Sequence, residues 1–394
     1  MTSTSRRAFL QKTTIALLAA PVTRAAAAAM AGVFTPRVAR AADTFVVGLV
    51  LPAEGALATA LQQGAALGLD DANALATLFG KPLRLETASA SDGAGAGRAA
   101  RAFARDGALA VVGGSGPGVA DALRDAAADG VLVMNVGAAD DRLRNERCDR
   151  RLFHVAPSVS MAVDALTRWV ADQRKLTRWA VEGDGSARAT EMDAAVRRAV
   201  GRLGGSVVEP AAAEMRMLAG TDDAVRSALA RARAEGWAEQ AAGIGGDVPL
   251  ALAPDEAAGI WVMGWHPELE RFSARELNAR FRRRFNAPLT ETSWAAWAAL
   301  KLVGEAVVRG NATGAAGIVT FLESAPPFDG HKGSALTFRR WDHQLRQPLY
   351  VVAARRREDV GGRRGPFAVV VDVPGTDLDN IGTSAADSRC RLSP

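Results

Sequence analysis

The sequence predicts an α/β protein of two lobes, each a Rossmann-like parallel sheet with helices on both faces. Three observations carry this expectation. Strand-like apolar runs and helix-periodic segments alternate from residue 44 to residue 136. The alternation starts again after His154-Val155-Ala156-Pro157. About 350 residues remain beyond an N-terminal export signal, which suits two domains of ordinary size.

The first unit opens with Thr44 to Leu51, apolar enough for a strand buried on both faces. Pro52-Ala53-Glu54-Gly55 is a turn. Ala56 to Leu75 reads as a helix, with Leu57, Leu61, Ala65 and Leu69 at four-residue spacing. Leu83 to Thr87 is the second strand, and a glycine-rich stretch, Asp92 to Gly97, leads to a helix at Arg98 to Asp106. Leu109 to Val112 is a strand closed by Gly113-Gly114-Ser115-Gly116-Pro117-Gly118. Val119 to Asp129 is a helix and Val131 to Val136 the next strand.

In the second unit, Met161 to Gln173 reads as a helix and Trp179 to Glu182 as a strand. Gly183 to Ser186 is a turn, Glu191 to Leu203 a helix, Ser206 to Glu209 a strand and Asp222 to Glu235 a helix. A weaker strand is expected at Asp247 to Leu252 and a clearer one at Gly259 to Met263. Ligands of such sheets bind at the C-terminal ends of strands, so two sheets make the cleft between them the natural site.

The N-terminus carries Ser5-Arg6-Arg7-Ala8-Phe9-Leu10-Gln11-Lys12, then the apolar run Ile15 to Ala20 and the small-x-small site Ala39-Arg40-Ala41. Charge, apolar core and cleavage site in that order are those of a twin-arginine signal peptide over residues 1–42, with Arg6 and Arg7 as its paired arginines. The expected destination is the periplasm. Six of the 48 basic residues and no acidic residue precede the cleavage site, leaving 42 basic against 43 acidic. The positive net charge therefore belongs to the signal, and no nucleic-acid footprint is expected. No later apolar run reaches roughly 18 residues, so no second membrane span is expected.

The two cysteines, Cys148 and Cys390, lie beyond the signal. An oxidising compartment and an even count favour a disulfide between them; two unrelated thiols are the alternative.

Leu109 to Gly116, the following helix and Val131 to Asp140 resemble type I periplasmic binding proteins, as does Phe153-His154-Val155-Ala156-Pro157-Ser158. The most specific stretch is Leu277 to Pro288, continuing through Trp294-Ala295-Ala296-Trp297 to Glu305-Ala306. Phe338 to Pro348 and the tail Leu378 to Cys390 resemble the subfamily linked to pyrroloquinoline quinone (PQQ)-dependent alcohol dehydrogenase systems. The segment from Gly236 to Gly259 departs from the family, being short and alanine-rich. The resemblance implies two lobes joined by three crossovers. Residues 43–157 with 267–330 form lobe 1, 158–266 with 331–373 form lobe 2, and 374–394 form a C-terminal tail. It also implies a solute-binding component of an ABC transporter, meeting a membrane permease, with an amino-acid-like ligand in the cleft. A monomer without enzymatic activity or cofactor is expected. The alternative is an accessory or sensor protein of a PQQ-dependent alcohol oxidation system with a degenerate ligand site.

Within that frame, Gly114, Ser115 and Gly116 sit at a strand-to-helix turn, where backbone N–H groups and the helix dipole suit an anion. The Ser115 hydroxyl would add a hydrogen bond. A dinucleotide fingerprint does not fit the glycine spacing. Gly137, Ala138 and Ala139 follow the next strand and offer backbone contacts alone. Glu182, Asp184 and Ser186 close the matching strand of the second lobe, where a carboxylate would meet an ammonium or hydroxyl group; a solvated turn fits the same residues. Trp265 follows the returning strand and would stack on a ligand or pack the hinge. His154, His266, His331 and His343 are scattered, with no metal-ligand spacing, and no nucleophile elbow is present.

Overall fold

A computed structural model describes residues 44–392 apart from 117, 363 and 376; the expected export signal, with Arg6 and Arg7, lies outside the described residues. In the first lobe β1 (Phe45–Pro52), α1 (Ala56–Ala76), β2 (Leu83–Ala90), α2 (Gly93–Arg105), β3 (Ala110–Gly113), α3 (Val119–Ala128), β4 (Val133–Asn135) and β5 (Leu152–His154) follow one another. The five strands form a parallel sheet in the order β2-β1-β3-β4-β5. Helix α2 starts earlier than its glycines suggested. Asp92 caps it, its Oδ1 accepting from Gly95 N at 2.7 Å, and so draws the glycine-rich stretch into the first turns.

The second lobe runs through α4 (Val159–Trp169), β6 (Arg178–Gly183), α5 (Ala187–Arg202), β7 (Ser206–Val207), β8 (Met215–Ala219), α6 (Asp222–Ala234), β9 (Ala241–Ile244), α7 (Asp247–Leu250) and β10 (Ile260–Met263). The strand expected at Asp247 to Leu252 is instead the one-turn helix α7, and the strand is β9, just before it. Its Ala-Ala-Gly-Ile sequence has little strand propensity. Tertiary packing selects it: a side chain on Gly243 would run into the Trp261 ring on neighbouring β10. Strand β8 also went unrecognised, its pairing with β6 and β9 outweighing the helical bias of Met-Arg-Met-Leu-Ala.

The chain returns to lobe 1 as α8 (Ala274–Phe285), α9 (Glu291–Val308) and α10 (Ala315–Glu323), then β11 (Phe328–Asp329), β12 (Ala335–Phe338) and β13 (Leu345–Arg346). It ends in lobe 2 with β14 (Leu349–Ala354) and β15 (Phe367–Val373). The second sheet has the order β15-β14-β10-β9-β8-β6-β7, with β14 and β15 antiparallel additions. Helix α9 lies against α1 at close range. A side chain at Gly64 would collide with the Ser293 carbonyl, and one at Gly68 with that of Trp297.

Residues 331–346, expected in lobe 2, pack with lobe 1. Leu336, Phe338 and Leu345 share its core with Trp294 and Trp297, and His154 N donates to His343 O at 2.9 Å along the edge of β5. We place the third crossing near Gln347. The tail beyond residue 376 docks through buried Leu378 and Ile381, and Cys148 and Cys390 form a disulfide across 242 positions of sequence. Among the described residues, no helix is long and apolar enough to cross a membrane.

Candidate functional site

Both sheets reverse strand order beside their inner strands, β1/β3 in one and β6/β8 in the other, and the loops leaving β3 and β4 face the start of α5 across the gap between lobes. A cleft of about 720 Å³ lies there. Its first wall is Gly114, Gly116, Gly137, Ala138 and Ala139; its second is the first two turns of α5, with Arg188, Thr190 and Glu191.

Asn135, at the end of β4, shapes the first wall. Its Oδ1 accepts from Gly137 N (3.1 Å) and Ala138 N (2.8 Å), while its Nδ2 donates to Ala138 O (2.8 Å) and faces His154 Nδ1 at 2.9 Å. His154 Nε2 lies 3.1 Å from Leu143 O. Burial, reinforced by Arg144, holds this imidazole well below its ordinary pKa. The neutral ring thus donates to Leu143 O through Nε2 and accepts from Asn135 at Nδ1. Two N–H groups expected to be open to a ligand, those of Gly137 and Ala138, are therefore already bonded.

Ser115 is buried. Its hydroxyl lies against Gly137, where a side chain would collide with it, and has no hydrogen-bond partner among the described residues. It does not line the cleft; the backbones of Gly114 and Gly116 on either side do. Gly114 is glycine for two reasons: its φ is +119°, and a side chain would strike Asn135 Oδ1.

On the second wall the expected trio stands one turn away from the gap. Asp184 accepts from Ser186 N and Thr221 N, both at 2.9 Å, and the Ser186 hydroxyl together with these bonds holds its carboxyl far below the usual range. Ser186 caps α5, accepting from Ala189 N at 3.2 Å. Glu182 pairs with Arg216 at 3.4 Å, and Arg216 in turn stacks over Trp237. None of the three lines the cleft. Helix α5 begins at Ala187 and not at Glu191, so Arg188 and Glu191 reach the gap instead. The N-cap signature of Ser186 was the signal that could have found them.

Arg188 is exposed, with no hydrogen-bond or ion-pair partner among the described residues. Glu191 Oε1 accepts from Asp141 N at 2.6 Å across the lobes, and burial pushes its carboxyl up to about 7. Asp141 also accepts from Ser160 Oγ at 2.5 Å. Beside these, Arg142 holds Asp140 with three side-chain bonds, Nη2 to Oδ2 at 2.6 Å and Nε to Oδ2 at 3.1 Å and to Oδ1 at 3.2 Å, and its backbone N–H donates to Oδ1 at 2.8 Å. Burial opposes ionisation of Asp140, yet these bonds keep its carboxyl below the ordinary range.

Trp265 is fully buried in the core of lobe 1. Its Nε1 donates to Asn278 Oδ1 at 3.0 Å, and its ring stacks on Trp294, 5.8 Å between centroids. It packs the hinge and does not reach the cleft.

Below the cleft a pocket of about 30 Å³ is bounded by Ala139, Ser158, Arg188, Gly245, Gly264 and Glu291. Glu291, the first residue of α9, was not singled out by its sequence context. Its Oε2 accepts from Gly264 N at 2.7 Å, and burial raises its pKa, with nearby Asp247 adding to the effect and Lys332 and Arg188 opposing it. Among the described residues no group of three or more His, Cys, Asp or Glu side chains is placed to hold a metal ion.

The chain matches the periplasmic binding protein family model over residues 44–217 and 211–359. No sequence among the curated proteins matches it. Among solved structures it is similar to a branched-chain amino acid ABC transporter periplasmic ligand-binding protein from Burkholderia xenovorans, at 17% identity and a TM-score of 0.76, covering 88% of this chain and 99% of that one. An amino acid ABC transporter substrate-binding protein from Pseudomonas fluorescens aligns at 16% identity and a TM-score of 0.75, covering 90% and 100%. A solute-binding protein of an ABC transporter from Rhodopseudomonas palustris, in complex with 3,4-dihydroxybenzoic acid, aligns at 13% identity and a TM-score of 0.67, covering 85% and 100%. With two lobes, parallel sheets and a cleft at the strand ends, the chain belongs to the periplasmic binding protein family, in its type I fold.

Proposed function

We propose that the protein is the periplasmic solute-binding component of an ABC transporter, taking a small polar, amino-acid-like solute in the cleft and presenting the closed form to a permease. The observation that supports this most is the unpaired guanidinium of Arg188 on one wall, opposite the small-residue backbone of Gly114, Gly116 and Ala139 on the other. A solute with an anionic group can bridge the two walls, and a ligand that touches both lobes favours the closed state by its differential affinity. Binding, not chemistry, is the activity, and the protein works as a monomer exported by the twin-arginine route. Lysines in place of Arg6 and Arg7 are expected to retain the precursor in the cytoplasm.

The test is a thermal-shift screen of amino acids and small organic acids on the mature protein, followed by calorimetry. A ligand at 100 times its Kd should stabilise the protein by about 2.7 kcal/mol. Arg188→Ala should remove that shift while leaving the unliganded melting temperature in place. No shift with any compound would overturn the reading.

A second reading, an accessory or sensor protein of a PQQ-dependent alcohol oxidation system, draws on direct contacts between the lobes. Asp141 to Ser160, Asp141 to Glu191 and Thr292 Oγ1 to Asp247 Oδ2 at 2.9 Å all join them without a solute. It predicts no solute response and co-purification with components of that system.

A further inference from the structure

The floor pocket is built differently from the cleft above it. It is lined by apolar side chains such as Ile244, Val262, Met263 and Leu349, and two charged side chains border it: Glu291 from lobe 1 and Arg188 from lobe 2. Glu291 uses Oε2 on Gly264 N, and its other oxygen has no hydrogen bond among the described residues. Glycine is needed on both flanks. A Cβ at Gly246 would stand 2.9 Å from Glu291 Cβ, and one at Gly264 3.0 Å from its carboxyl carbon. The neighbouring charges are accounted for. Asp247 accepts from Thr292 Oγ1 at 2.9 Å, and Lys332 is bound to the Gly264 and Pro348 carbonyls and to Gln347 Oε1. Glu291 thus presents a half-buried carboxyl with one free oxygen, beside a pocket about the size of one water molecule or one ammonium group.

We propose that Glu291 is the specificity-determining residue of the cleft. A protonated amine of the solute enters the floor pocket and donates to the free Glu291 oxygen, while Arg188 at the pocket's upper edge takes the solute's carboxylate. The polarity is the reverse of the one the strand-end loops suggested: lobe 2 supplies the cation and lobe 1 the carboxylate. An uncharged or purely anionic group brought to the floor would leave the second Glu291 oxygen without a donor, so an amine-free acid is rejected by the missing hydrogen bond more than by shape.

This inference rests on the solute-binding reading, and the experiment separates the two. The probes are three amino acids with their amine-free counterparts: L-leucine and 4-methylpentanoate, L-phenylalanine and 3-phenylpropanoate, L-glutamate and glutarate. Binding to the mature, disulfide-bonded protein is measured by calorimetry. At least one amino acid should bind about 30-fold or more tightly than its counterpart, and Glu291→Gln, which keeps the bond to Gly264, should reduce that ratio to about one. If the amine-free acid binds as tightly to the unaltered protein, the role of Glu291 is overturned and the solute-binding reading stands; that comparison needs no variant. If none of the six binds, the inference falls, and failure of the wider screen as well would remove the reading beneath it.

Discussion

Glu291 and Lys332 grip opposite sides of one residue, Gly264. Glu291 Oε2 accepts from the Gly264 N–H at 2.7 Å, and Lys332 Nζ donates to the Gly264 carbonyl. Lys332 also donates to Gln347 Oε1 at 2.6 Å and sits 3.9 Å from the Trp294 ring centroid, so a protonated ammonium is the state its partners require, although burial depresses its pKa. Gln347 Nε2 in turn donates to Val155 O at 2.7 Å. One buried lysine thereby connects all three chain crossings between the lobes.

Lys332→Met should therefore be costly. It keeps the length of the side chain but leaves the Gly264 carbonyl and Gln347 Oε1 without their donor and Glu291 without a counter-charge. Loss of one partner from such a buried charged cluster costs about 3–5 kcal/mol. Urea unfolding of the variant measures it, and a loss under about 1 kcal/mol would show that the cluster does not hold the hinge.

His343 makes the fold sensitive to acid. It is buried and stacked on Phe153 at 4.1 Å between centroids; neither ring nitrogen makes a side-chain hydrogen bond, and Nε2 lies 3.5 Å from Glu323 Oε1. Burial pushes its pKa down to about 4, with Glu323 opposing and Arg150 assisting. Between about pH 6.5 and 4 the unfolded chain holds the proton that the folded chain refuses, so this residue's contribution falls as pH falls. The loss approaches about 3 kcal/mol near pH 4. His343→Phe keeps the stack and removes the proton site. Its stability relative to the parent should rise steadily from pH 6.5 to 4 and level off below; a pH-independent difference would refute the assignment.

The disulfide should stabilise less than its loop length suggests. Closing 242 residues is worth about 5 kcal/mol in a chain-entropy account. The tail, however, is also held by Arg339 Nη2 to the Ile381 carbonyl at 2.5 Å, Gly382 N to Asp164 Oδ2 at 2.8 Å and Trp341 Nε1 to Thr383 O at 3.2 Å. In the double variant Cys148→Ser with Cys390→Ser, residues 384–392 should detach while the body stays folded. The expected cost is about 1–3 kcal/mol. Hydrogen exchange would show fast amides confined to that stretch; exchange spread over both sheets would contradict it.

Ser115→Ala tests whether the buried hydroxyl serves the solute. An unpaired buried hydroxyl costs stability, so its removal should raise the unfolding free energy by about 1 kcal/mol. Solute affinity should stay within about twofold. A large loss of affinity would mean that Ser115 turns into the cleft when the lobes close.

Much of the framework was legible in the chain because its signals are local. The apolar run of β1, the four-residue spacing of α1 and the glycine turn after β3 each declare themselves within a dozen residues. The pairing of Cys148 with Cys390 followed from compartment and count, and the family from short segments spread along the sequence. Strand β9 was missed because its Ala-Ala-Gly-Ile is chosen by the Trp261 ring on the next strand, not by its own propensity.

The sequence by itself determined which segments become strands and helices in most of both lobes, and that the turn after β3 would border the gap. Only the tertiary structure decided which side chains occupy the gap. Helix α5 starts four residues before its expected start, so Arg188 and Glu191 stand in its first turns beside the gap, while Glu182 pairs with Arg216, Asp184 accepts from Thr221 N and Ser186 caps the helix. Likewise Lys332 reaches Gly264 across 68 positions and Arg144 reaches Gln344 across 200. Contacts of that span are set by how two sheets and their crossings pack, which no local pattern of residues encodes.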